Sequence, residues 1–375
     1  MGAMKSAEFI IVGGGVSGLY AARLLTELGR DWCLLEGRPF LGGRILSVAV
    51  PGTADLTHST QKQRFDLGPS WYWPEYQGEL AQLIEQLGLK VIPQYESGDL
   101  MYERVATEAP IRMPAYISQP QSWRLVGGMA ALVEGLQRDL DAQRLYMGQA
   151  VRALRLVQGQ VEVTAMNETG ELKRWLGKKI LLALPPRLVI ERLGFNPALP
   201  ESLTREWSAT PTWMAPHAKY LAIYEDPFWR DQGLSGEARS ALGPLNEIHD
   251  ASLPGGAALF GFLGMPSRIR RTIPEERLKS ECLNQLSRIF GVHAAAPIAE
   301  FYKDWAIDPF TATAADVNIA MDHISAPDAA PSDGPWAGWI RAIGSEWATG
   351  FPGYIAGAME GAKLGVEAFS CNVNA

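Results

Sequence analysis

Three glycines and one carboxylate set the clearest chemical specification in this chain. In Phe9-Ile10-Ile11-Val12-Gly13-Gly14-Gly15-Val16-Ser17-Gly18-Leu19, an apolar run ends in a glycine-rich turn. Gly13 lets the chain reverse sharply, Gly15 lets bare backbone approach a phosphate, and Gly18 lets the next helix pack close to the sheet. That helix, opening at Val16 and Ser17, turns its free N–H groups and positive dipole end toward the phosphate. Trp32, Leu34 and Leu35 form a second apolar run, and Glu36 closes it about 20 residues past the glycines, the spacing at which an acidic side chain accepts ribose hydroxyls. A carboxylate there also repels a 2′-phosphate. An ordinary glycine turn needs neither the second run nor its acid, so the combination specifies a pocket for an adenine dinucleotide.

The residues that follow narrow the dinucleotide. Glu36-Gly37-Arg38-Pro39-Phe40-Leu41-Gly42-Gly43-Arg44 brings a second glycine pair and two guanidinium forks straight after the ribose acid. Nicotinamide dehydrogenases have no need of this second approach of the backbone, whereas Arg38 and Arg44 suit a pyrophosphate or an electron-rich ring edge. At this point the chain resembles the FAD-dependent amine oxidases, the family of monoamine oxidase and polyamine oxidase. The resemblance continues in order through Phe65-Asp66-Leu67-Gly68-Pro69-Ser70-Trp71, Val126-Gly127-Gly128-Met129, and Leu181 to Pro186 with Gly194-Phe195-Asn196-Pro197. It continues with His217-Ala218-Lys219-Tyr220 before Asp226-Pro227-Phe228-Trp229-Arg230, and ends in Gly344-Ser345-Glu346-Trp347-Ala348 and Gly353-Tyr354-Ile355-Ala356-Gly357-Ala358.

That resemblance implies FAD as cofactor, touched by Gly13, Gly15, Val16, Ser17, Gly18, Glu36, Gly37, Arg38, Gly43 and Arg44 near the start of the chain. Further along it adds Gly68, Pro69, Ser70, Trp71, Val151, Trp305, Gly344, Glu346, Gly353 and Ile355. The implied reaction oxidises a C–H bond next to an amine nitrogen to an imine, with O2 as acceptor and release of H2O2. Lys219 matches the family lysine that holds a water against flavin N5, and Tyr354 matches one of two rings that flank the amine. In Trp305-Ala306-Ile307-Asp308-Pro309-Phe310-Thr311-Ala312-Thr313-Ala314-Ala315, Ala315 stands where the second ring is expected. Ala314 stands where monoamine oxidases carry the cysteine that bonds to flavin, so the FAD is expected to be non-covalent. The segment between Trp73 and Val126 is shorter than the helical substrate lobe of monoamine oxidases, and Trp71, Trp73, Tyr102, Trp123 and Phe351 are candidates to complete the cavity with Ala315 and Tyr354. The half-built cage keeps two alternatives open: a flavin dehydrogenase or desaturase of an apolar substrate using another acceptor, and a non-catalytic FAD-binding protein.

The elements that must position these residues alternate. The spacing of apolar residues predicts strands at 8–12 and 32–36 around a helix at 16–29, helices over 78–87 and from Met129 to Leu140, and short strands at 151–157, 160–165 and 179–184. His217 to Tyr224 alternates like a long strand, Leu278, Cys282, Leu286 and Ile289 mark a helix, and residues 326–335 read as a surface loop. Gly353, Gly357, Gly361 and Gly365 recur every fourth residue, a bare helical ridge that only close packing against a neighbour can offset. The fold expected is α/β, a Rossmann-like FAD-binding domain interleaved with an α+β substrate domain on a mixed sheet. Boundaries are expected at 4–75, 126–208 and 306–375 for the first domain, and at 76–125 and 209–305 for the second.

Composition suits an enzyme of this size and excludes several other classes. With 34 Lys and Arg against 41 Asp and Glu, the net charge of −7 gives no basic field for nucleic acid. Cys33, Cys282 and Cys371 are too few and too scattered for a disulfide framework, and the five histidines lack metal-ligand spacing, so no metal is expected. An apolar run after Lys5 can mimic a secretion leader, but its cleavage would remove the glycine fingerprint. These readings point to a cytoplasmic protein with no membrane partner, a monomer or homodimer acting on a small-molecule amine.

Overall fold

The computed structural model describes residues 4–50, 63–114, 117–318 and 325–370. They divide into two compact units, one made of Met1–Arg44, Val133–Ala215 and Asp308–Ala375, the other of Ile45–Leu132 and Pro216–Ile307.

The first unit is organised by an eight-stranded sheet. Lys5–Val12 lies between Trp32–Leu35 and Leu172–Leu182, parallel to both. Strands of a parallel sheet lose both faces to packing, which is why Phe9 to Val12 and Trp32 to Leu35 read as unbroken apolar runs. Leu172–Leu182 begins well before the expected position at 179. Its first half pairs antiparallel with Gln160–Met166, and its last three residues pair with Ile340–Ala342. Leu172, Lys173 and Arg174 are exposed, so that half of the strand carried no apolar signal. Val16–Glu27 follows the first strand, and the final helix Ile355–Ser370 packs against it. The core joins Ile10, Val163, Ile180 and Leu182 to three buried indoles, Trp175, Trp207 and Trp336. Trp207 meets Trp347 edge to face at 5.4 Å, and its replacement by alanine is expected to cost about 3–5 kcal/mol, read as a fall in denaturation midpoint.

The second unit is built on a seven-stranded mixed sheet. Its order is Ala299–Asp304, Ala218–Tyr224, Ala257–Leu263, Leu245–Asp250, Leu234–Ser240, Asp99–Glu103 and Ile111–Met113. Only Leu234–Ser240 and Asp99–Glu103 run parallel to each other; the other neighbours are antiparallel. Side chains alternate across Ala218–Tyr224. Tyr220, Ala222 and Tyr224 meet Leu278, Cys282, Leu286 and Ile289 of the Glu275–Phe290 helix. Leu221 and Ile223 turn to the other face, beside Phe260 and Ala258 of the neighbouring strand, and cluster there with Phe65 and Leu67. Lys219 shares that second face, so a lysine sits within a strand buried on both sides.

The unit boundaries differ from the sequence expectation at each cut. Residues 45–50 and 63–75 go with the second unit because Ser47–Ala49 and Arg64–Asp66 pair antiparallel and Phe65 enters that unit's core. Residues 126–132 follow them: Arg64 Nε donates to the Gly127 carbonyl (3.0 Å) and the Met129 amide donates to Asp66 Oδ1 (2.8 Å). Residues 209–215 stay with the first unit, where the Thr212 amide donates to the buried Asp316 (2.9 Å). Residues 306–307 go with the second, the Ala306 amide donating to Asp304 (3.0 Å). The glycine ridge is also one member shorter than its spacing suggests. Gly353 precedes the last helix with φ +83° in the turn that leads into it.

Candidate active site

In the first unit, main-chain atoms alone shape a cradle at the start of Val16–Glu27. Gly13 takes φ +108°, and a Cβ there would lie 2.5 Å from the Ala183 carbonyl oxygen; a Cβ on Gly18 would lie 2.0 Å from that of Gly13. The turn and the close helix that the glycine spacing predicts are therefore both built. Gly15 caps the helix in extended conformation with no side chain bonded to the first amides. The second glycine pair closes on the first, the Gly42 amide donating to the Gly14 carbonyl at 2.8 Å. Glu36 is buried at the end of its strand, Oε2 accepting from the Gly14 amide (2.6 Å) and Oε1 from that of Arg38 (2.7 Å). Residues 148 and 149 run alongside, their amides donating to the carbonyls of Arg38 and Glu36, and lead into the buried Val151. A helix N-terminus without a side-chain cap, a bare glycine floor and a fixed carboxylate fit a dinucleotide.

Both arginines of the second glycine segment are held by carboxylates of the same unit. Arg38 donates to Asp308 (2.5 Å) and Thr311 (3.1 Å) and lies over the Phe310 ring. Arg44 grips Glu346 with two contacts, 2.6 and 3.1 Å, and donates to Ser345 Oγ at 3.0 Å. Ser17 Oγ donates to the Ile343 carbonyl, and the Gly353 amide to that of Ser345 (3.0 Å), so the Gly344 to Ile355 segment is tied to the first helix and to itself. Tyr354 ends this segment with its ring 5.9 Å from that of Trp213, the planes 32° apart. Phe351 is half-buried beside it in the chain, and Ala314 and Ala315 are exposed on a short 3-10 turn.

In the second unit the polar centre is Lys219, 2 % exposed. Its ammonium donates to Ser70 Oγ (2.7 Å) and the Gly68 carbonyl (3.1 Å), the two ends of the Gly68-Pro69-Ser70 turn. It also lies 3.8 Å above the Phe260 ring and 5.7 Å from that of Phe262. Burial pushes its pKa down to about 7; Asp66 works against this and Arg124 with it. Asp66 and Arg124 are themselves buried, and Arg124 is spent on the carbonyls of Ser252 (3.0 Å) and Ala251 (2.8 Å). An amine poised between its two protonation states at neutral pH, on an apolar floor, can hold a water or trade a proton.

Several other candidates in this unit gather nearby. Trp71 meets the Phe260 ring at a tilt (5.3 Å, 50°) and the His249 ring edge to face (4.9 Å), and its indole N–H donates to Gln94 (2.7 Å). Trp123 exchanges backbone hydrogen bonds with Tyr72, between Trp71 and Trp73, while the Trp73 amide donates to Gln77 (3.1 Å). Trp305 donates its indole N–H to the Leu67 carbonyl (3.0 Å). Tyr102 is not brought in: its strand lies at the other end of the sheet from that of Lys219, with three strands between them. A cavity of about 630 Å³ opens on Gln94, Tyr95, Glu96, Glu225, Asp226 and Arg230. None of the aromatic candidates lines it, although Gln94 links it to Trp71.

Sequence reasoning missed Phe260, Phe262, His249 and Trp213. The two phenylalanines were legible as alternate residues of an apolar strand, but nothing in the sequence says which strand lies beside Lys219. Trp213 stands in a loop without periodicity, and its partner is far along the chain. Among the described residues no cluster of His, Cys, Asp or Glu could hold a metal, and no helix is long and apolar enough to cross a membrane. Cys33 and Cys282 are buried free thiols, burial pushing the former up to about 12, and Cys371 lies outside the described residues.

Known proteins resemble this chain in sequence and in fold. The family model for flavin containing amine oxidoreductase matches residues 95–368, and one for an NAD(P)-binding Rossmann-like domain matches residues 11–87. A probable flavin-containing monoamine oxidase A of Dictyostelium discoideum is 28% identical, over 94% of this chain and 95% of that protein. Putrescine oxidase of Kocuria rosea is 22% identical, over 81% and 83%. Among solved structures, cyclohexylamine oxidase from Brevibacterium oxydans superposes with a TM-score of 0.78 at 18% identity, covering 98% of this chain and all of the other.

Proposed function

Because the chain belongs to the flavin containing amine oxidoreductases, we propose that it oxidises a small primary or secondary amine to the imine, with FAD held non-covalently and O2 as the acceptor. The protein is an FAD-dependent amine oxidase-like oxidoreductase. The observation that carries the finer reading is Lys219, a fully buried amine with a pKa near neutrality fixed over an aromatic ring.

FAD, when bound, supplies the two-electron acceptor for the C–H bond next to nitrogen. The protein's part is to bind, orient and exclude water. Gly13, Gly15, Val16, Ser17 and Gly18 would take the pyrophosphate at the uncapped helix end, and Glu36 the ribose, exchanging its bond to the Gly14 amide for one to a hydroxyl. Gly37, Gly43 and Val151 flank that site, and Arg44, fixed on Glu346, offers its guanidinium edge. Gly344, Gly353 and Ile355 bracket the entry to the last helix, whose positive end suits a ring edge that gains negative charge. In the second unit Gly68, Pro69, Ser70, Trp71 and Trp305 are the proposed flavin neighbours. Lys219 orients a water there and supplies positive charge or a proton as the pH allows. Trp71, Trp73, Trp123, Phe351, Ala315 and Tyr354 are the proposed amine-facing residues; Tyr102 has no support from its place in the sheet. The buried free thiols favour a reducing cytoplasm.

A screen of monoamines, diamines and amino acids for peroxide production tests the reaction class and the substrate together. Peroxide from an amine is the expected result; flavin bleached anaerobically without peroxide in air would give the reaction to another acceptor. Ala314 carries a separate expectation. Acid precipitation should release all the yellow colour into the supernatant, and flavin left with the pellet would reveal a covalent bond.

A further inference from the structure

Three buried charges share the core of the second unit around Lys219. Asp66 is 3 % exposed, and Arg124 and Lys219 are 2 % exposed. Asp66 stands two residues before Gly68, whose carbonyl Lys219 holds, so the Cα atoms of Asp66 and Gly68 are at most about 7 Å apart. Both hydrogen bonds that Asp66 accepts, from Ser47 Oγ (2.6 Å) and the Met129 amide (2.8 Å), go to Oδ1. Its Oδ2 is buried with no hydrogen-bond partner among the described residues, and so is Arg124 Nε. An asparagine would accept the same two bonds, so they do not account for a negative charge at a place where burying one is costly. The cations beside it do: burial raises the pKa of the Asp66 carboxyl, and Ser47, Lys219, Arg124 and the Met129 amide oppose it.

Resting on the amine-oxidation reading above, we propose that Asp66 and Arg124 are positioning residues that act through Lys219, the carboxylate holding a proton on it and the guanidinium driving it off, so that together they set the pH window of flavin reoxidation. The strand register puts three other titratable groups on the face of Lys219, and each is engaged with its own partner. Lys303 lies over the Trp305 ring (4.6 Å), and Glu247 pairs with His249 (2.6 Å) and Arg239 (2.7 Å). His217, just before the strand, meets the Phe262 ring edge to face at 6.3 Å. Asp250 and Arg230 reach Arg124 with opposite signs. The charges that bear on Lys219 itself are those of Asp66, which favours its ammonium, and Arg124, which opposes it. Groups coupled in this way titrate as a unit, so a change at either end moves the proton on Lys219.

The test compares holoprotein of the parent chain with Asp66→Asn, which keeps both accepted hydrogen bonds, and with Arg124→Met. The flavin is reduced by light in the presence of EDTA and then mixed with O2 at a series of pH values, so no amine is needed. The parent's reoxidation rate is expected to fall as pH rises through about 7. Asp66→Asn should move that fall to lower pH by about one unit, and Arg124→Met should move it to higher pH by a similar amount. A second readout needs no flavin chemistry. The pH at which the denaturation midpoint begins to rise, taken relative to the same substitution in a Lys219→Met background, should shift with the same two signs. Shifts of one sign in both variants would make Asp66 and Arg124 merely structural, and unmoved pH values would remove them from the mechanism. If one variant fails to fold, the sign of the other's shift decides. Shifted denaturation with unshifted reoxidation would overturn the proposal and confine the three charges to stability. Peroxide from no amine, with both shifts present, would overturn the oxidase reading and keep the coupled charges.

Discussion

Lys219→Met is expected to stabilise the fold and to slow reoxidation of the reduced flavin. Lys219 has a pKa of about 7 in the folded chain against 10.5 for an unburied lysine. A difference of that size corresponds to roughly 5 kcal/mol of unfavourable burial of charge below neutral pH. Methionine fills a similar volume without the charge. It forfeits the hydrogen bonds to Ser70 and the Gly68 carbonyl, each worth about 1 kcal/mol, so a net gain of about 3 kcal/mol is expected below neutral pH. The sign with pH follows from proton counts. The folded-state pKa is depressed, so between pH 7 and 10.5 the unfolded chain holds the extra proton and the parent protein gains stability as pH rises. The variant lacks this group, and its advantage should be largest at pH 7 and below and should vanish toward pH 10.5. Denaturant midpoints at pH 6, 8 and 10 measure it, and a variant less stable than the parent at pH 6 would show that Lys219 is not a buried burden.

The same variant separates structure from chemistry. FAD content should hold, because the nucleotide cradle lies in the other unit's backbone and makes no use of Lys219. Reoxidation by O2 should slow on the order of 10²-fold, the effect of removing one preorganised charge or donor from a developing negative centre. Unchanged stopped-flow reoxidation would take Lys219 out of the mechanism while leaving the stability argument intact.

The dinucleotide cradle was legible because its determinants are local. Gly13, Gly18 and Glu36 fall within one strand, helix and strand, and short-range sterics dictate what each residue type permits there. The long strand from His217 to Tyr224 was legible from alternation, yet alternation cannot say that both its faces are covered. Lys219 is enclosed by Gly68 and Ser70 from one part of the chain and by Phe260 and Phe262 from another. The domain cuts failed for a related reason. Gly127-Gly128 looks like the entrance to a new domain, but its neighbours bond back to Arg64 and Asp66, and only three-dimensional pairing reveals that. Trp213 was illegible because its contacts, Arg44, Glu346 and Tyr354, lie far before and after it in sequence.

The glycine ridge of the last helix yields the other large effect. A Cβ at Gly357 would stand 1.9 Å from the Phe351 carbonyl oxygen, 2.8 Å from its carbon and 3.0 Å from the Ala348 Cβ. Two of these atoms are backbone, so no rotamer change relieves the clash. The loop they belong to cannot drift away cheaply either. Glu360, on the same helix, accepts from the Thr349 amide and hydroxyl (2.9 Å each) and from the Gly350 amide (3.1 Å). Alanine in a helix interior gains about 1 kcal/mol over glycine, whereas overpacking a closed contact costs about 1–3 kcal/mol and more where backbone must move. The clash should win. Gly357→Ala is therefore expected to lose at least 2 kcal/mol by this balance. Because the displaced loop runs directly into Gly353 and Tyr354, its flavin-to-protein absorbance ratio should fall as well. Gly78→Ala is the control: it sits at the start of Gly78–Gln86 with nothing within 4 Å of a new Cβ, and should be neutral or slightly stabilising. If Gly357→Ala instead melted with the parent and kept its full complement of FAD, the ridge would owe its glycines to something other than close packing on the loop that ends at Tyr354.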